Sequence, residues 1–410
     1  MEKSEYFQVV TPQKAREILS RFSYREEEKI QTQTAFHRFL AEDIVSPENI
    51  PPFSRSTMDG YAVASKDTIG ASSSQPLFLR LTGSIEVGHP AKTPLGPGEA
   101  FRIPTGGMIP PGGDAVVMVE HARLIEEDGR SVIELTRPMS PWENVMRAGE
   151  DFKEGDIIVH KGQRLRPQDI GAIAGVGIRT ISVLKRPVVG LIATGDELVP
   201  LGQNPQEGQV RSINPYALGA AITDSGAIVN DLGLIPDALD ILKEKIEFAL
   251  HHCDFILISG GSSLGERDLT LEALGSFEGS QILFHGMAVA PGKPTIAASL
   301  GPKLAIGLPG HPASAFVVFT VFVRPLLQGQ DQWEWKPCVR AILSKNVPSA
   351  SGREEYARVT LEERQGVLYA SPLLGKSGGL SSLVRAHGLV RIDMGKEGLD
   401  EGEGVDVLLF

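Results

Sequence analysis

From Pro187 onward the sequence alternates apolar runs of strand length with segments of helix length, and this rhythm restricts the fold most strongly. Short apolar runs bounded by turn residues are typical of buried strands. Strands that alternate with helices indicate parallel pairing with right-handed crossovers, and hence a doubly wound α/β domain over residues 187–330. The predicted strands are PVVGLIAT (187–194), AIVNDLGLI (227–235), DFILIS (254–259) and KLAIGLP (303–309), and the predicted helices are 214–226, 237–252, 267–277 and 311–327.

The remainder of the chain predicts a multidomain α/β and β protein. Between residues 77 and 137, short β runs separated by turns indicate an inserted β domain, with bounds 51–149. TPQKAREILSRF predicts an N-terminal helix, and the segment after residue 150 predicts a strand and a short helix; together they suggest a discontinuous domain, 5–50 plus 150–185. The last β runs, within 335–410, predict a small C-terminal β barrel or sandwich, of which the barrel is our choice.

Composition excludes several classes of function. The net charge is −11, from 40 basic and 51 acidic residues, which argues against a nucleic-acid partner. Cys253 and Cys338 lie far apart and no histidines have ligand spacing, so neither a zinc module nor a disulfide framework is predicted. The N-terminus lacks a signal-peptide pattern, and the longest nearly apolar run, AFVVFTVFV, is far below the ~20 residues that span a bilayer. We therefore expect a cytoplasmic protein without a membrane partner.

Three polar loops follow predicted strands, where ligands of open α/β sheets bind. They are ATGDELVP, SGGSSLGERD and GLPGHPASAF. In the second loop, Gly260, Gly261 and Gly265 allow backbone N–H groups to approach a phosphate. The spacing is neither a Walker loop nor GxGxxG, so a turn in which Asp268 caps the next helix is an equally good interpretation.

Four carboxylates are expected at the same edge of the sheet: Asp196, Glu197, Asp237 and Asp268. Oxygen ligands gathered around a phosphate suit Mg²⁺, although each acid could equally cap a helix or lie in solvent. Lys293, restrained in APGKPT, could bind an anion or be an ordinary loop lysine. We find no sequence pattern for a protein nucleophile.

Two further polar loops lie in the predicted β insertion. RSTMDGYAV carries Asp59, and PTGGMIPPGGD carries Thr105. Such loops often carry functional residues because the scaffold positions them. Their spacing does not distinguish this from a domain linker or a hairpin turn.

Taken in order, seven motifs resemble the molybdopterin molybdenumtransferases, the bacterial MoeA family related to the gephyrin E domain. They are PPFSRSTMDGYAV, IPTGG, RAGEDF, ATGDEL, SGGSSLGERD, PGKP and GLPGHPAS, and the resemblance covers essentially the whole chain. It implies an elongated four-domain homodimer with a molybdopterin-binding, MogA-like α/β domain. The implied activity is insertion of molybdate into adenylylated molybdopterin with Mg²⁺-dependent release of AMP. Molybdopterin adenylyltransferase and apo-molybdoenzymes are the implied protein partners.

The same resemblance assigns roles to individual residues, all of them expectations. Catalytic roles fall on Asp59, Thr105, Asp151 and Glu197. The metal would be held by Asp237 and Asp268. Binding of the pterin substrate and of molybdate falls on Gly260, Gly261, Ser262, Ser263, Gly265, Lys293, Ser314, Arg353 and Ser381, with the two last in the C-terminal domain.

The sequence also departs from the family pattern. Ala290 stands where many members have lysine, Gly286 where some do, and His311 where asparagine is common. Loss of a charged hydrogen bond would weaken oxyanion binding by ~1–3 kcal/mol, unless a residue such as Arg267 compensates. Two alternatives therefore stay open: a non-catalytic carrier of molybdopterin or its cofactor, and a tungstate-specific paralogue.

Overall fold

The computed structural model describes residues 9–127, 129–260, 268–330, 335, 337–373 and 379–410. These residues fold into two compact units. The α/β–barrel unit contains the described residues within 1–29, 37–41 and 182–410, and the inserted unit contains those within 30–36 and 42–181. The bounds of the four predicted domains are finer than this division and stay a prediction.

The described residues of the α/β–barrel unit form a six-stranded sheet. Its strands are β1 (Val188–Thr194), β2 (Ile228–Ile235), β3 (Phe255–Ser259), β4 (Ser280–His285), β5 (Ile296–Leu300) and β6 (Lys303–Leu308). Their order in the sheet is β2-β1-β3-β6-β5-β4. Strands β2, β1, β3 and β6 are mutually parallel, whereas β5 is antiparallel to both of its neighbours. The helices are α1 (Asn214–Asp224), α2 (Leu239–His252), α3 (Leu269–Gly275) and α4 (Pro312–Val318).

Helices cover both faces of this sheet, which confirms the doubly wound prediction. Alternate residues of each strand point to opposite faces. Leu191 of β1 packs in a core with α1 and α4, whereas the adjacent Ile192 packs in a second core with α2 and α3. Both cores are apolar, so the parallel strands read as nearly continuous apolar runs.

Strands β4 and β5 are absent from the sequence prediction. They extend the parallel sheet with an antiparallel pair, β5 to β6 and β4 to β5. The predicted final helix is interrupted after α4 by a π-helical turn, Phe319–Val323, and resumes over Arg324–Leu327. Its apolar run is almost entirely buried.

The C-terminal strands close into a barrel among the described residues, which confirms the predicted barrel. The elements are β7 (Cys338–Leu343), β8 (Glu354–Arg364), β9 (Val367–Pro372), helix α5 (Leu380–Arg385), β10 (Gly388–Ile392) and β11 (Gly404–Leu409). Strand β8 pairs with β9, β9 with β7, β7 with β11, β11 with β10, and β10 pairs with β8 and closes the barrel. The barrel interior is lined by fully buried apolar side chains such as Val359, Val390 and Val407.

The inserted unit contains the predicted short β runs. They form one sheet among the described residues, with the strand order Ala115–Met118, Gly60–Val63, Glu99–Ile103, Leu77–Ser84, Arg130–Leu135 and Ala122–Glu127. Apolar cores lie on both of its faces, one containing Val63 and Ile133 and the other Phe101 and Val116. The predicted strand and helix after residue 150 are Ile157–Val159 and Pro167–Gly175.

The remaining helices and strands are shorter. The predicted N-terminal helix is Pro12–Leu19, and the Thr11 hydroxyl at its start accepts a hydrogen bond from the Lys14 amide, 3.2 Å. The other strands are Glu27–Gln31, Ile44–Val45, Arg55–Ser56, Val145–Met146, Thr180–Leu184, Leu198–Val199, Val210–Arg211, Val289–Ala290, Val347–Pro348 and Gly398–Leu399. The 3₁₀ turns are Ser20–Phe22, Thr32–Thr34, Ser65–Thr68 and Val119–His121. Within the described ranges, no helix is long and apolar enough to cross a membrane.

Candidate active site

A cavity of about 620 Å³ lies at the carboxyl ends of the parallel strands. From β1 the chain continues to β2 on one side and then to β3 on the other, so the order of the strands reverses between β1 and β3. Ligands of open α/β sheets bind at such a switch point. Thr194 from the end of β1, Gly260 after β3 and His311 before α4 line the cavity, so all three predicted loops contribute to it.

Asn214 connects the walls of this cavity. It is the first residue of α1, and its side-chain amide donates to Ser259 Oγ, 2.6 Å, and to the Gly310 carbonyl, 2.8 Å. One side chain thus connects a helix start, a strand end and the loop before α4. Sequence analysis missed Asn214, although its place at the start of a helix on the ligand-binding edge was a usable signal.

If the cavity binds AMP, as the resemblance implies, we expect Asn214→Ala to weaken that affinity, measured by calorimetry, about 5- to 150-fold. The reason is that two hydrogen bonds, each with a net contribution of about 0.5–1.5 kcal/mol, order these loops. Asn230→Ala is the matched control, because Asn230 lies on β2 outside the cavity lining and its amide donates to the Cys253 thiol, 3.4 Å. Equal AMP affinities in the two variants would contradict a positioning role for Asn214.

Gly260 occupies a position that only glycine fits. Its φ of 104° lies in the region that L side chains rarely adopt. A Cβ there would lie 2.0 Å from the Thr194 carbonyl oxygen, because the end of β3 runs directly against the end of β1. The first glycine of SGGSSLGERD is therefore required by the approach of two strands.

Two of the predicted acids line the cavity. Glu197 and Asp237 are both exposed on its wall. Asp237 Oδ1 accepts a hydrogen bond from Thr194 Oγ1, 2.5 Å, and the Asp237 amide donates to Asp196 Oδ1, 3.0 Å. The structure thus links the loops after β1 and β2 through their carboxylates.

Asp268 has a different environment. One of its carboxylate oxygens accepts a hydrogen bond from the Leu271 amide, 3.0 Å, so it caps α3, as the alternative interpretation had it. The other oxygen lies 3.4 Å from His285 Nε2, and both side chains are buried. Burial raises the pKa of Asp268, although the Leu271 amide and the histidine act in the opposite direction. This capping hydrogen bond neither supports nor contradicts the prediction that Asp268 is a metal ligand, which stays a prediction.

The donor set of the cavity can be tested for Mg²⁺. No group of three or more histidine, cysteine or acidic side chains in the described part of the chain is arranged to hold a metal ion. Mg²⁺ needs fewer protein ligands, since it usually takes one or two carboxylates and keeps several waters. Glu197 and Asp237 supply hard oxygen donors on the cavity wall, so the residues present fit that ion.

Arg211 is a second residue that sequence analysis missed. Its exposed side chain lines the cavity and donates to Asn204 Oδ1, 2.9 Å. Arg211 lies in a two-residue strand, Val210–Arg211, that pairs with Leu198–Val199. This pairing, which short polar segments do not reveal in a sequence, brings a guanidinium to the same wall as Glu197.

Four predicted phosphate-binding residues, Gly261, Ser262, Ser263 and Gly265, lie outside the described residues, as does Arg267. Of the predicted anion-binding residues, Lys293 and Arg353 are exposed, and Arg353 Nη2 lies 3.1 Å from Glu355 Oε2. The strand Val289–Ala290 runs parallel to the start of β8, so the segments that carry these two residues lie side by side. Ser314, buried, and Ser381, exposed, lie on α4 and α5, which pack together.

Three predicted catalytic residues belong to the inserted unit. Asp59 Oδ1 accepts hydrogen bonds from the Thr105 amide, 2.7 Å, and from the Thr105 hydroxyl, 3.0 Å. These bonds, the backbone one first, hold the pKa of Asp59 below its ordinary value. The structure therefore brings the two predicted polar loops together around an ionised carboxylate.

We expect Thr105→Val to raise the pKa of Asp59 toward its ordinary value, because the hydroxyl bond that favours the carboxylate is lost. Thr105→Ser keeps a hydroxyl and should leave this pKa low. A carboxyl-carbon NMR titration of Asp59 measures both. An unchanged pKa in the valine variant would show that the hydroxyl contributes nothing.

Asp151 lies in a turn held by backbone bonds. Its amide and that of Phe152 donate to the Ile50 carbonyl, 3.0 and 3.2 Å. In the same turn, the Arg147 guanidinium stacks 4.8 Å from the centroid of the Trp142 ring. Asp151 is exposed, so its side chain is available to a ligand.

The fold and the cavity define a small-molecule-binding α/β protein with an added barrel and a β insertion. Three family descriptions match the chain: "MoeA N-terminal region (domain I and II)" over residues 10–177, "Probable molybdopterin binding domain" over 190–329, and "MoeA C-terminal region (domain IV)" over 340–410. The chain belongs to the MoeA family of molybdopterin molybdenumtransferases.

Individual relatives agree with this assignment. The molybdopterin molybdenumtransferase of Bacillus subtilis is 35% identical over 94% of this chain and 90% of its own length. That of Haemophilus influenzae is 35% identical over 93% and 94%, respectively. A crystal structure of the molybdopterin biosynthesis MoeA protein from Pyrococcus horikoshii is 31% identical, with a TM-score of 0.82 over 98% of this chain and all of that one.

Proposed function

We propose that this protein inserts molybdate into adenylylated molybdopterin and releases AMP, a step of molybdenum cofactor biosynthesis. The observation that carries the proposal is the cavity of about 620 Å³ at the switch point of the domain matched as molybdopterin-binding. Its volume is within the range of small-molecule sites. Polar groups converge on it from four separate loops, as recognition of a substrate with phosphate and hydroxyl groups requires.

The substrate's phosphates would bind where the backbone comes closest. Gly260 holds the end of β3 against Thr194, and the loop that it opens carries the proposed phosphate ligands Gly261, Ser262, Ser263 and Gly265. Arg211 on the cavity wall supplies a positive charge in a chain whose net charge is −11. Asn214 holds two of these walls together through its hydrogen bonds to Ser259 and to the Gly310 carbonyl.

Molybdate would be bound by Lys293 and Arg353, whose segments lie side by side, with hydroxyl groups from Ser314 and Ser381. Arginine matches the oxygens of an oxyanion, and lysine acts as a point charge. Water or a molybdate oxygen would attack the phosphorus on the pterin side of the pyrophosphate. The bond from that phosphorus to the AMP oxygen would break, and AMP would leave with the electron pair. Proposed catalytic roles fall on Glu197 in the cavity and on Asp59, Thr105 and Asp151 in the inserted unit.

A divalent cation would be held by Asp237 with Glu197 in the cavity, and by Asp268 if its capping bond can be exchanged. Mg²⁺ bound there would offset the negative charge on the phosphate oxygens. Thr194 orients the Asp237 carboxylate through their hydrogen bond, and Asp196 holds the Asp237 backbone. These contacts would keep an oxygen donor at a fixed place on the wall.

The test supplies the purified chain with adenylylated molybdopterin, molybdate and MgCl₂. AMP is measured by chromatography, and the product by activation of an apo-molybdoenzyme. We expect AMP release and active cofactor together, both lost with EDTA or without molybdate. Binding of the pterin without AMP release would instead identify a carrier. Release with tungstate but not molybdate would identify a tungstate-specific enzyme.

We also propose, on the resemblance, that the protein is a homodimer that exchanges substrate and product with molybdopterin adenylyltransferase and apo-molybdoenzymes. Light scattering coupled to gel filtration measures the mass of the assembly against the 44.1 kDa chain. A monomer at micromolar concentration would contradict the dimer.

A further inference from the structure

A second, smaller cavity of about 60 Å³ lies in the α/β–barrel unit. We call it the arginine pocket, after the lining residues Arg16, Arg324 and Arg391. Its described lining shares no residue with the cavity of about 620 Å³ and includes no aspartate or glutamate. Guanidinium groups from three separate elements, the N-terminal helix, the Arg324–Leu327 helix and strand β10, therefore converge in a protein that is acidic as a whole.

Two of these guanidinium groups are held by aromatic rings. Arg16 lies 5.3 Å from the centroid of Phe322, and Arg391 lies 5.6 Å from the centroid of Trp335. Trp335 is in turn stacked on the buried Tyr356. An arginine stacked on a ring can still donate hydrogen bonds through the N–H groups at its edge. Arg16 already donates to Glu354 and to the Tyr356 hydroxyl, so the donors for a ligand come mainly from Arg324 and Arg391.

Among the described residues, each of the three positive charges has an acidic neighbour that compensates part of it. Arg16 forms an ion pair with Glu354, 2.5 Å, and Arg391 lies 3.1 Å from Asp393 in an exposed pair. Arg324 is half-buried, and burial lowers the pKa of its guanidinium while the charge of Asp224 opposes that effect. A buried charge is stable in a protein when it is paired, so an anion in the pocket would remove part of this cost.

The size and chemistry of the pocket indicate the ligand. A single water needs at least roughly 10–15 Å³ by this measure of volume, so a pocket of about 60 Å³ has room for a group larger than one water. A tetrahedral oxyanion has four oxygens, and arginine donates pairs of parallel hydrogen bonds to such oxygens. The amides of Gln328 and Gln330 on the wall add neutral donors.

We propose that the arginine pocket binds a tetrahedral oxyanion, at a site separate from the substrate cavity. The ligand bridges the N-terminal helix, the end of the α/β domain and the barrel. Its binding stabilises the folded chain by mass action, because the unfolded chain has no such site. Phosphate, sulfate and molybdate share the required charge and shape, and the experiment separates them.

The test titrates sodium phosphate, sodium sulfate and sodium molybdate into the full chain at constant ionic strength, with sodium chloride as the reference. Thermal unfolding and calorimetry measure binding, so no turnover is needed. We expect a saturable rise of Tm with at least one of the three anions. Arg324→Gln and Arg391→Gln should each weaken that affinity at least tenfold.

Two controls locate the site. Arg340→Gln removes an exposed arginine of the same barrel and should leave the affinity unchanged. Lys293→Ala alters the proposed molybdate loop, so it should weaken molybdate binding there but leave the affinity for phosphate and sulfate unchanged. The proposal is overturned if no anion binds beyond the chloride reference, or if binding is lost in Lys293→Ala but kept in both pocket variants. Arg391→Gln decides the outcome if Arg324→Gln does not fold, since the Arg391 side chain is exposed.

Discussion

Gly260→Ala is expected to lower the free energy of unfolding by about 2–5 kcal/mol and to abolish the proposed binding of AMP. A left-handed backbone costs an alanine about 1–2 kcal/mol, and relief of a steric overlap of this kind costs about 1–3 kcal/mol more. The overlap is between the new Cβ and the Thr194 carbonyl oxygen, 2.0 Å apart, at the wall of the substrate cavity. Urea denaturation and calorimetry with AMP measure the two effects.

Gly310→Ala is the matched control. Gly310 lines the same cavity, but among the described residues a Cβ there meets only the Gly260 Cα, at 3.8 Å, which is an ordinary contact. This variant should lose less than about 1 kcal/mol, the scale of an ordinary surface glycine substitution. Equal stability of the two alanine variants would show that β1 and β3 are not in close approach.

Glu354→Ala is expected to lower the free energy of unfolding by about 3–5 kcal/mol, because it removes the carboxylate partner of the Arg16 guanidinium, whose side chain is only 19% exposed. The Glu354 carboxylate pairs with Arg16 and accepts a hydrogen bond from the Tyr356 hydroxyl. Tyr356 is 2% exposed, so water cannot replace the lost acceptor. Urea denaturation of Glu354→Ala, of Arg16→Ala and of the double variant measures the coupling.

Glu17→Ala provides the control on the same N-terminal helix. Glu17 pairs with Lys14 at 3.1 Å, yet both side chains are more than half exposed. An exposed ion pair contributes about 0–1 kcal/mol, so this variant should be nearly as stable as the natural chain. If Glu354→Ala and Arg16→Ala are additive, the two side chains do not interact energetically and the expected loss is wrong.

The sequence predicted the parts of the fold that depend on short-range pattern. The four parallel strands, the helices between them and the N-terminal helix follow from apolar periodicity, turn residues and the Thr11-Pro12 start. Ordered motifs also identified the family over the whole chain. Strands β4 and β5 escaped prediction because their residues are only partly apolar and their pairing is with each other and with β6, which pattern alone does not encode.

The candidate site was predicted less completely. Placement of the loops after β1, β3 and β6 around one cavity followed from topology, since parallel strands end at one edge. Asn214 was missed because its contacts run to Ser259 and Gly310, which are distant in sequence. Arg211 was missed because the pairing of its two-residue strand with Leu198–Val199 has no apolar pattern that would predict it. Asp268 illustrates the remaining ambiguity: sequence allowed a metal ligand or a helix cap, and the structure shows its bond to the Leu271 amide.

By itself, then, the sequence determined the α/β class, the family and which loops carry polar groups, because these depend on residue type and local order. Tertiary structure alone decided that Gly260 meets Thr194, that Asn214 joins three segments, and that three arginines distant in sequence line one pocket. The physical reason is separation along the sequence. Propensity and periodicity act over a few neighbouring residues, whereas side-chain contacts and charge compensation depend on distant segments that folding brings together.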